Sequence, residues 1–297
     1  AVAISSDKLK IDDISYFSVF NPPPRKVLIV NGDPGTSLYT SEVYYLERAL
    51  FPSAEGDSPF RSQTVSSETL TVDGKAVDEF SCIIISNVGV VRDDFLVELS
   101  RFVREGGGLL ITVGDKIVPS EFNRSFNLLL PQKLDKVNHL EEEGDGLSLQ
   151  KSADTLEPFQ KLLETQIGKL ATAKFYTYFS LVPDRMKNPR ILLAFSNGAP
   201  ALLEATYGAG KVLVFTSTID RDWNNLPIQT AYLPFIHRVV DYLSRNTGQE
   251  RGATTLLVGD PYRLTLHEGD VKIAAARIID PENRSHNLLL VREGLER

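Results

Sequence analysis

Asn31 and Asp33, Asn87, Asp115, and Asp220 with Asp222 and Trp223 each follow closely on an apolar run. Neighbouring carboxylates can divide acid and base roles between them when their separation and pKa values suit it. The tryptophan beside them has two readings: a structural wedge that closes the core, favoured because Leu226-Pro227 follows at once and helps fold the loop back, or a contact surface of the kind that often carries much of an interface's binding energy. Asp and Asn also cap helices and shape turns, so no single one of these residues argues for a ligand. Their shared position does: in open α/β sheets the crevice outside the strand C-termini is where ligands bind. They form the candidate ligand-binding set.

Other reactive residue types are read as structural. Cys82 is the single cysteine and sits inside the apolar run Cys82-Ile83-Ile84-Ile85, whereas a reactive thiolate needs an accessible, electropositive niche. One cysteine also excludes an internal disulfide framework and a cysteine-rich zinc site. His139, His237, His267 and His286 show no ligand-like pairing, and no metal or other cofactor is expected. Glu141-Glu142-Glu143-Gly144-Asp145-Gly146 lacks the alternating oxygen ligands of a calcium loop and reads as a solvated acidic loop. Gly106-Gly107-Gly108 and Gly208-Ala209-Gly210-Lys211 precede strands instead of opening helices, which makes them turns and not phosphate loops.

The elements that position the candidate set follow a regular rhythm. Lys26 to Val30, Cys82 to Ile85, Leu109 to Val113 and Lys211 to Thr216 are short continuous apolar runs, as expected of strands buried on both faces. Phe95, Leu96, Leu99, Phe102 and Val103 make one helical face; Leu156, Phe159, Leu163, Ile167 and Leu170 make another. Tyr232, Phe235, Ile236, Val239 and Leu243 make a closing helix, with Pro234 near its start or at a kink. Ala173 to Val182, Arg190 to Phe195 and Ala201 to Thr206 read as further strands. Strand, helix, strand in this order predicts right-handed crossovers and an α/β, doubly wound, mostly parallel sheet with flanking β-rich segments.

Composition sets the outer limits. Hydrophobic residues at 42% and charged residues at 24% are ordinary globular values. A net charge of −7 with no Lys/Arg run leaves nothing to neutralise a phosphate backbone, so nucleic acid is not an expected partner. Residues 1–23 are read as the end of an upstream β-rich segment and a Pro-rich linker. Residues 24–246 are read as the α/β domain, and 252–297 as a small, truncated β unit with turns at Gly-Asp-Pro and Asp-Pro-Glu-Asn. No stretch reaches the ~18 apolar residues of a membrane span. A start at Ala1-Val2-Ala3-Ile4, without an initiator methionine, is read as an excised piece of a longer chain.

Gly210-Lys211-Val212-Leu213-Val214-Phe215-Thr216-Ser217-Thr218, followed by Asp220-Arg221-Asp222-Trp223-Asn224-Asn225-Leu226-Pro227, resembles the BatA-like aerotolerance membrane proteins, bacterial proteins with an N-terminal double-transmembrane segment. Lys26 to Gly35, Phe102 to Asp115 and Phe235 to Leu243 fit the same pattern in order. The resemblance implies a class I glutamine amidotransferase-like, flavodoxin-like fold in a chain anchored in the cell membrane, with its soluble part extracytoplasmic, that is, periplasmic. Catalytic members of that wider fold keep a Cys at a strand-to-helix elbow, with a His after a later strand. The elbow position here falls at Val113-Gly114-Asp115, without Cys, and Ser217 to Trp223 holds no His. The expectation is a non-catalytic binding or scaffolding domain for an envelope protein partner or a small ligand. The alternative is a hydrolase or carbohydrate-active enzyme using carboxylates such as Asp33, Asp115 or Asp220.

Overall fold

The computed structural model describes residues 23–52, 58–70, 74–140, 144–164, 170–184, 187 and 189–244, with short segments at 2–3, 14–15, 276–279 and 284–288. The chain divides into two units: Asn21–Arg251, and Ala1–Phe20 together with Gly252–Arg297. In the latter, β1 (Val2–Ala3) pairs antiparallel with β2 (Ile14–Ser15). His267, Glu141 to Glu143, Ile167 and the expected boundary at 246–252 lie outside the described residues.

The larger unit runs β3 (Arg25–Asn31), α1 (Tyr44–Leu50), β4 (Phe60–Ser66), β5 (Cys82–Ser86), α2 (Asp93–Arg104), β6 (Gly108–Thr112) and α3 (Pro119–Ser125). It continues through β7 (Lys133–His139), β8 (Leu149–Lys151), α4 (Glu157–Glu164), β9 (Thr177–Val182), β10 (Arg190–Phe195), β11 (Pro200–Tyr207), β12 (Gly210–Phe215) and α5 (Tyr232–Ser244). One eight-stranded sheet carries the order β4-β3-β5-β6-β12-β11-β10-β8. From β4 to β12 every pairing is parallel; β11, β10 and β8 extend the sheet by antiparallel pairings.

The apolar runs are explained by burial on two sides. Val27 and Ile29 of β3 face one core with Cys82, Ile84, Leu213 and Phe215, while Leu28 and Val30 face the other with Ile83, Ile85, Val212 and Val214. Each such side chain is stabilised by roughly 1.5–3 kcal/mol when fully buried, so both faces need cover. Leu46 of α1, Phe159 of α4 and Phe235 of α5 supply it on the first side; Phe95 and Leu99 of α2 and Phe122 of α3 supply it on the second.

Local chemistry sets the helix ends. Asp93 and Asp94 open α2 and Arg101 and Arg104 close it, each matching the sign of its end of the helix dipole. Gly106, at φ 115°, then turns the chain into β6. Pro234 lies in the first turn of α5, where its missing N–H costs no helical hydrogen bond. The expected strand at Ala173 to Val182 begins only at Thr177, and it pairs with β7 in a separate two-stranded sheet. In the smaller unit β13 (Ala276–Ile279) and β14 (Ser285–Leu288) pair antiparallel on either side of Asp280-Pro281-Glu282-Asn283.

Candidate functional site

Sheet order reverses direction at β3: the chain goes from β3 to β4 on one side, then returns across to β5 on the other. Such a switch point opens a crevice at the strand C-termini. Asn31 ends β3, Asn87 follows β5, and Asp115 follows β6.

Asn87 is the hub. Among the described residues it is the non-glycine with positive φ, at 51°, a conformation that Asn tolerates better than most side chains. Two glycines make room for it: a Cβ on Gly32 would stand 1.9 Å from the Asn87 carbonyl oxygen, and one on Gly114 would stand 2.3 Å from its Cγ. Its side-chain Nδ2 donates to Glu42 Oε2 at 3.0 Å and to Asp115 Oδ1 at 2.9 Å. Its Oδ1 accepts the Lys116 backbone N–H at 2.9 Å. Val113-Gly114-Asp115, after β6, holds no positive-φ non-glycine residue and no Cys, and Gly114 packs against the Asn87 side chain.

Buried groups form the floor. Asn31 donates to Ser41 Oγ and accepts the Asp33 N–H; Asp33 O in turn accepts the Glu42 N–H, which folds the 33–42 loop back over β3. Glu42, 2% exposed, has its carboxyl pushed well above the ordinary range by burial and by the Asp220 charge, against opposing hydrogen bonds from Asn87 and the Ile219 amide. The Ile219 contact falls short of full hydrogen-bond geometry, and Glu42 Oε1 is left without a partner. Asp220, 6% exposed, is pushed up to about 6 by burial, against the Asp222 N–H that it accepts and the Thr218 hydroxyl.

Charged groups form the rim. Lys116 Nζ lies 3.0 Å from Asp33 Oδ2 and 3.4 Å from Asp115 Oδ2. Partial burial works against ionisation of Asp115, but Asn87 and Lys116 outweigh it and hold the carboxyl below its usual range. Asp222 moves the other way, raised by partial burial and by the charges of Asp115 and Asp33.

Asn31, Asp33, Asn87, Asp115, Asp220 and Asp222 are therefore linked, directly or through one another's fields. Trp223 stands apart: it is 8% exposed, with its ring 5.6 Å from that of Phe179 in the second core. It acts as a wedge, not as a crevice wall, because the loop that carries it is folded inward by Asn224. Asn224 Nδ2 donates to the Thr218 carbonyl, and its Oδ1 accepts the Leu226 N–H. Glu42 and Lys116 escape a reading of strand ends. Glu42 lies at the far end of the loop after β3, and the only signal for Lys116 is its place beside Asp115.

The remaining reactive groups lie elsewhere. Cys82 has no exposed surface, and burial drives its thiol pKa far up. His139 Nδ1 meets Thr177 Oγ1, and His237 Nε2 meets the Ala49 carbonyl. The glycine sets lie at the N-terminal ends of β6 and β12, opposite the crevice. Among the described residues, no group of three or more His, Cys, Asp and Glu could hold a metal ion.

No family model and no curated protein matches the chain. Solved structures do. A cytoplasmic protein from Salmonella typhimurium, STM3548, is 14% identical with a TM-score of 0.56, over 74% of this chain and 98% of that one. A second, STM1381 from Salmonella typhimurium LT2, is 18% identical with a TM-score of 0.52, over 74% and 97%. The cold-adapted β-galactosidase from Rahnella sp. R3 is 15% identical with a TM-score of 0.52, over 74% of this chain but only 32% of its own length. The chain has the doubly wound, class I glutamine amidotransferase-like α/β fold. A shared fold brings no activity with it.

Proposed function

We propose that this chain is a non-catalytic binding module of a membrane-anchored bacterial envelope protein of the BatA-like kind, with the switch-point crevice as its binding site. One observation carries the reading: the group at the centre of the crevice is Asn87, an amide that is not a nucleophile and is held by Glu42, Asp115 and the Lys116 N–H, while Val113-Gly114-Asp115, the elbow position that the resemblance implies, holds no Cys. The carboxylates beside it are engaged in shaping the site. Asp33 accepts the Gly35 N–H, Asp115 accepts from Asn87, and Asp220 accepts the Asp222 N–H. The thiol lies within the sheet. Membrane attachment rests on the resemblance alone; among the described residues no helix is long and apolar enough to cross a membrane.

Glu42 and Asp220 favour a second reading. Two carboxyls with raised proton affinities in one crevice could divide acid and base roles in a hydrolysis. A comparison of Asp220→Asn and Asp222→Lys separates the two. The binding module predicts that the natural protein carrying Asp222→Lys melts like wild type and no longer captures its envelope partner, and that wild type turns over no aryl glycoside or ester. Turnover abolished by Asp220→Asn would establish the second reading; capture retained by Asp222→Lys would overturn the first.

A further inference from the structure

We infer that the crevice receives a protein segment that presents an arginine side chain between apolar neighbours. The inference deepens the binding-module reading and rests on it.

Charge comes first. Asp33, Asp115 and Asp222 converge on one rim with Lys116 among them. Lys116 is shared between Asp33 and Asp115, and among the described residues Asp222 forms no ion pair. Beside the same Asn87 that binds Asp115, the buried Glu42 holds Oε1 without a donor in full hydrogen-bond geometry, the Ile219 amide making only a weaker contact with the carboxyl. A buried acceptor without a donor is costly, and a donor group entering from the rim would remove that cost. The empty role is that of a cation with several N–H groups. A guanidinium presents five donors in a planar fork, and its weaker hydration suits it to partly buried carboxylates better than an ammonium.

The surroundings give the second half of the inference. Exposed large apolar side chains stand on the loops that leave this same edge of the sheet: Leu38 and Tyr39 after β3, Val90 after β5, Val118 after β6 and Ile228 after β12. Gly89 lies against the Lys116 carbonyl, so close that a Cβ there would stand 2.2 Å from it, which holds Val90 beside the Asp115–Val118 loop. A free diamine or a lone amino acid would leave these side chains in water. A peptide segment with apolar residues flanking its arginine covers them, and a charged anchor with an apolar surround is how interface hot spots are built.

Calorimetric titration of the protein with acetyl-Ala-Leu-Arg-Val-Ala-amide, and with the same peptide carrying norleucine for arginine, tests this. The arginine peptide should bind at least about tenfold more tightly, and should lose most of that advantage as salt rises from about 0.05 to about 0.5 M. Asp222→Asn, an exposed substitution, should weaken the arginine peptide about fivefold or more and leave the norleucine peptide unchanged, whereas Val90→Ser should weaken both. Equal binding of the two peptides, or binding of neither, overturns the inference, as does free arginine binding as well as the peptide. If neither peptide binds while Asp222→Lys still abolishes partner capture, the arginine partner falls and the binding module stands. If capture also survives Asp222→Lys, both fall.

Discussion

Asn87 Nδ2 lies 3.0 Å from Glu42 Oε2 and donates to it, tying the residue after β5 to a carboxyl that is 2% exposed and comes from the loop after β3. The contact crosses the point where the sheet order reverses. It gives the buried acid a donor and fixes the amide that also steadies Asp115.

Loss of that donor has a predictable signature. Asn87→Ala removes hydrogen bonds to Glu42, Asp115 and the Lys116 N–H and forces a Cβ-bearing residue without side-chain compensation into the left-handed region. The lost network should cost about 2–3 kcal/mol, and the backbone about 1–2 kcal/mol more. Asn87→Gly loses the network and avoids the backbone cost. Urea midpoints should therefore rank wild type above Asn87→Gly, and Asn87→Gly above Asn87→Ala. An alanine variant as stable as the glycine variant would contradict the strained-hub description.

Stability should fall as pH rises through the weakly acidic range. The folded-state pKa of Asp220 is raised to about 6 from an ordinary value near 4, so the folded protein holds a proton that the unfolded chain has released. Stability is then greatest below the unfolded value and is lost between about pH 4 and about pH 6, with Glu42 acting in the same direction. The Asp220 part amounts to at most about 2–3 kcal/mol. Denaturant midpoints measured across this range should slope downward for wild type and be flatter for Asp220→Asn, which should be at least as stable as wild type at pH 7. An identical slope in the variant would remove Asp220 from the explanation.

Trp223 and its neighbour Asp222 should behave oppositely. Trp223→Ala opens a cavity against Phe179 and should destabilise by about 3–5 kcal/mol. Asp222→Asn changes an exposed side chain and should leave the midpoint within about 0.5 kcal/mol. A Trp223→Ala midpoint equal to wild type would rule out the wedge.

Cys82 should label only when the sheet opens. With no exposed surface and a thiol held protonated by burial, it should react slowly with a thiol reagent in native buffer and quickly in denaturant. Rapid native labelling would mean that β5 is not the interior strand described.

The central parallel strands β3, β5, β6 and β12 were legible because the middle of each is an unbroken apolar run: Cys82-Ile83-Ile84-Ile85 admits few readings other than burial on both faces. β4 was not, since Phe60-Arg61-Ser62-Gln63-Thr64 is an edge strand with one buried residue and a solvated remainder, and propensity alone does not mark it. The site divides in the same way. Asn31, Asp33, Asn87, Asp115, Asp220 and Asp222 follow directly from strand ends, which sequence locates well. Glu42 is placed by the path of a loop, through the Asp33 O to Glu42 N–H hydrogen bond and the Gly32 approach to Asn87, and no local pattern encodes that path. Trp223 entered the candidate set through its neighbours, while Leu226-Pro227 already favoured an inward wedge, and the fold set by Asn224 takes it inward.

The central claim is that the partner meets the strand C-terminal edge at the switch point. Two valines provide a matched comparison: Val90, 77% exposed on the crevice edge, and Val97, 66% exposed on α2. A photo-reactive amino acid placed at each position in turn, in the natural protein within its own cells, reports what touches each. The binding-site description predicts a cross-linked partner from position 90 that disappears when Asp222→Lys is added, and none from position 97. Cross-links from position 97 alone, or cross-links from position 90 that survive Asp222→Lys, would contradict it.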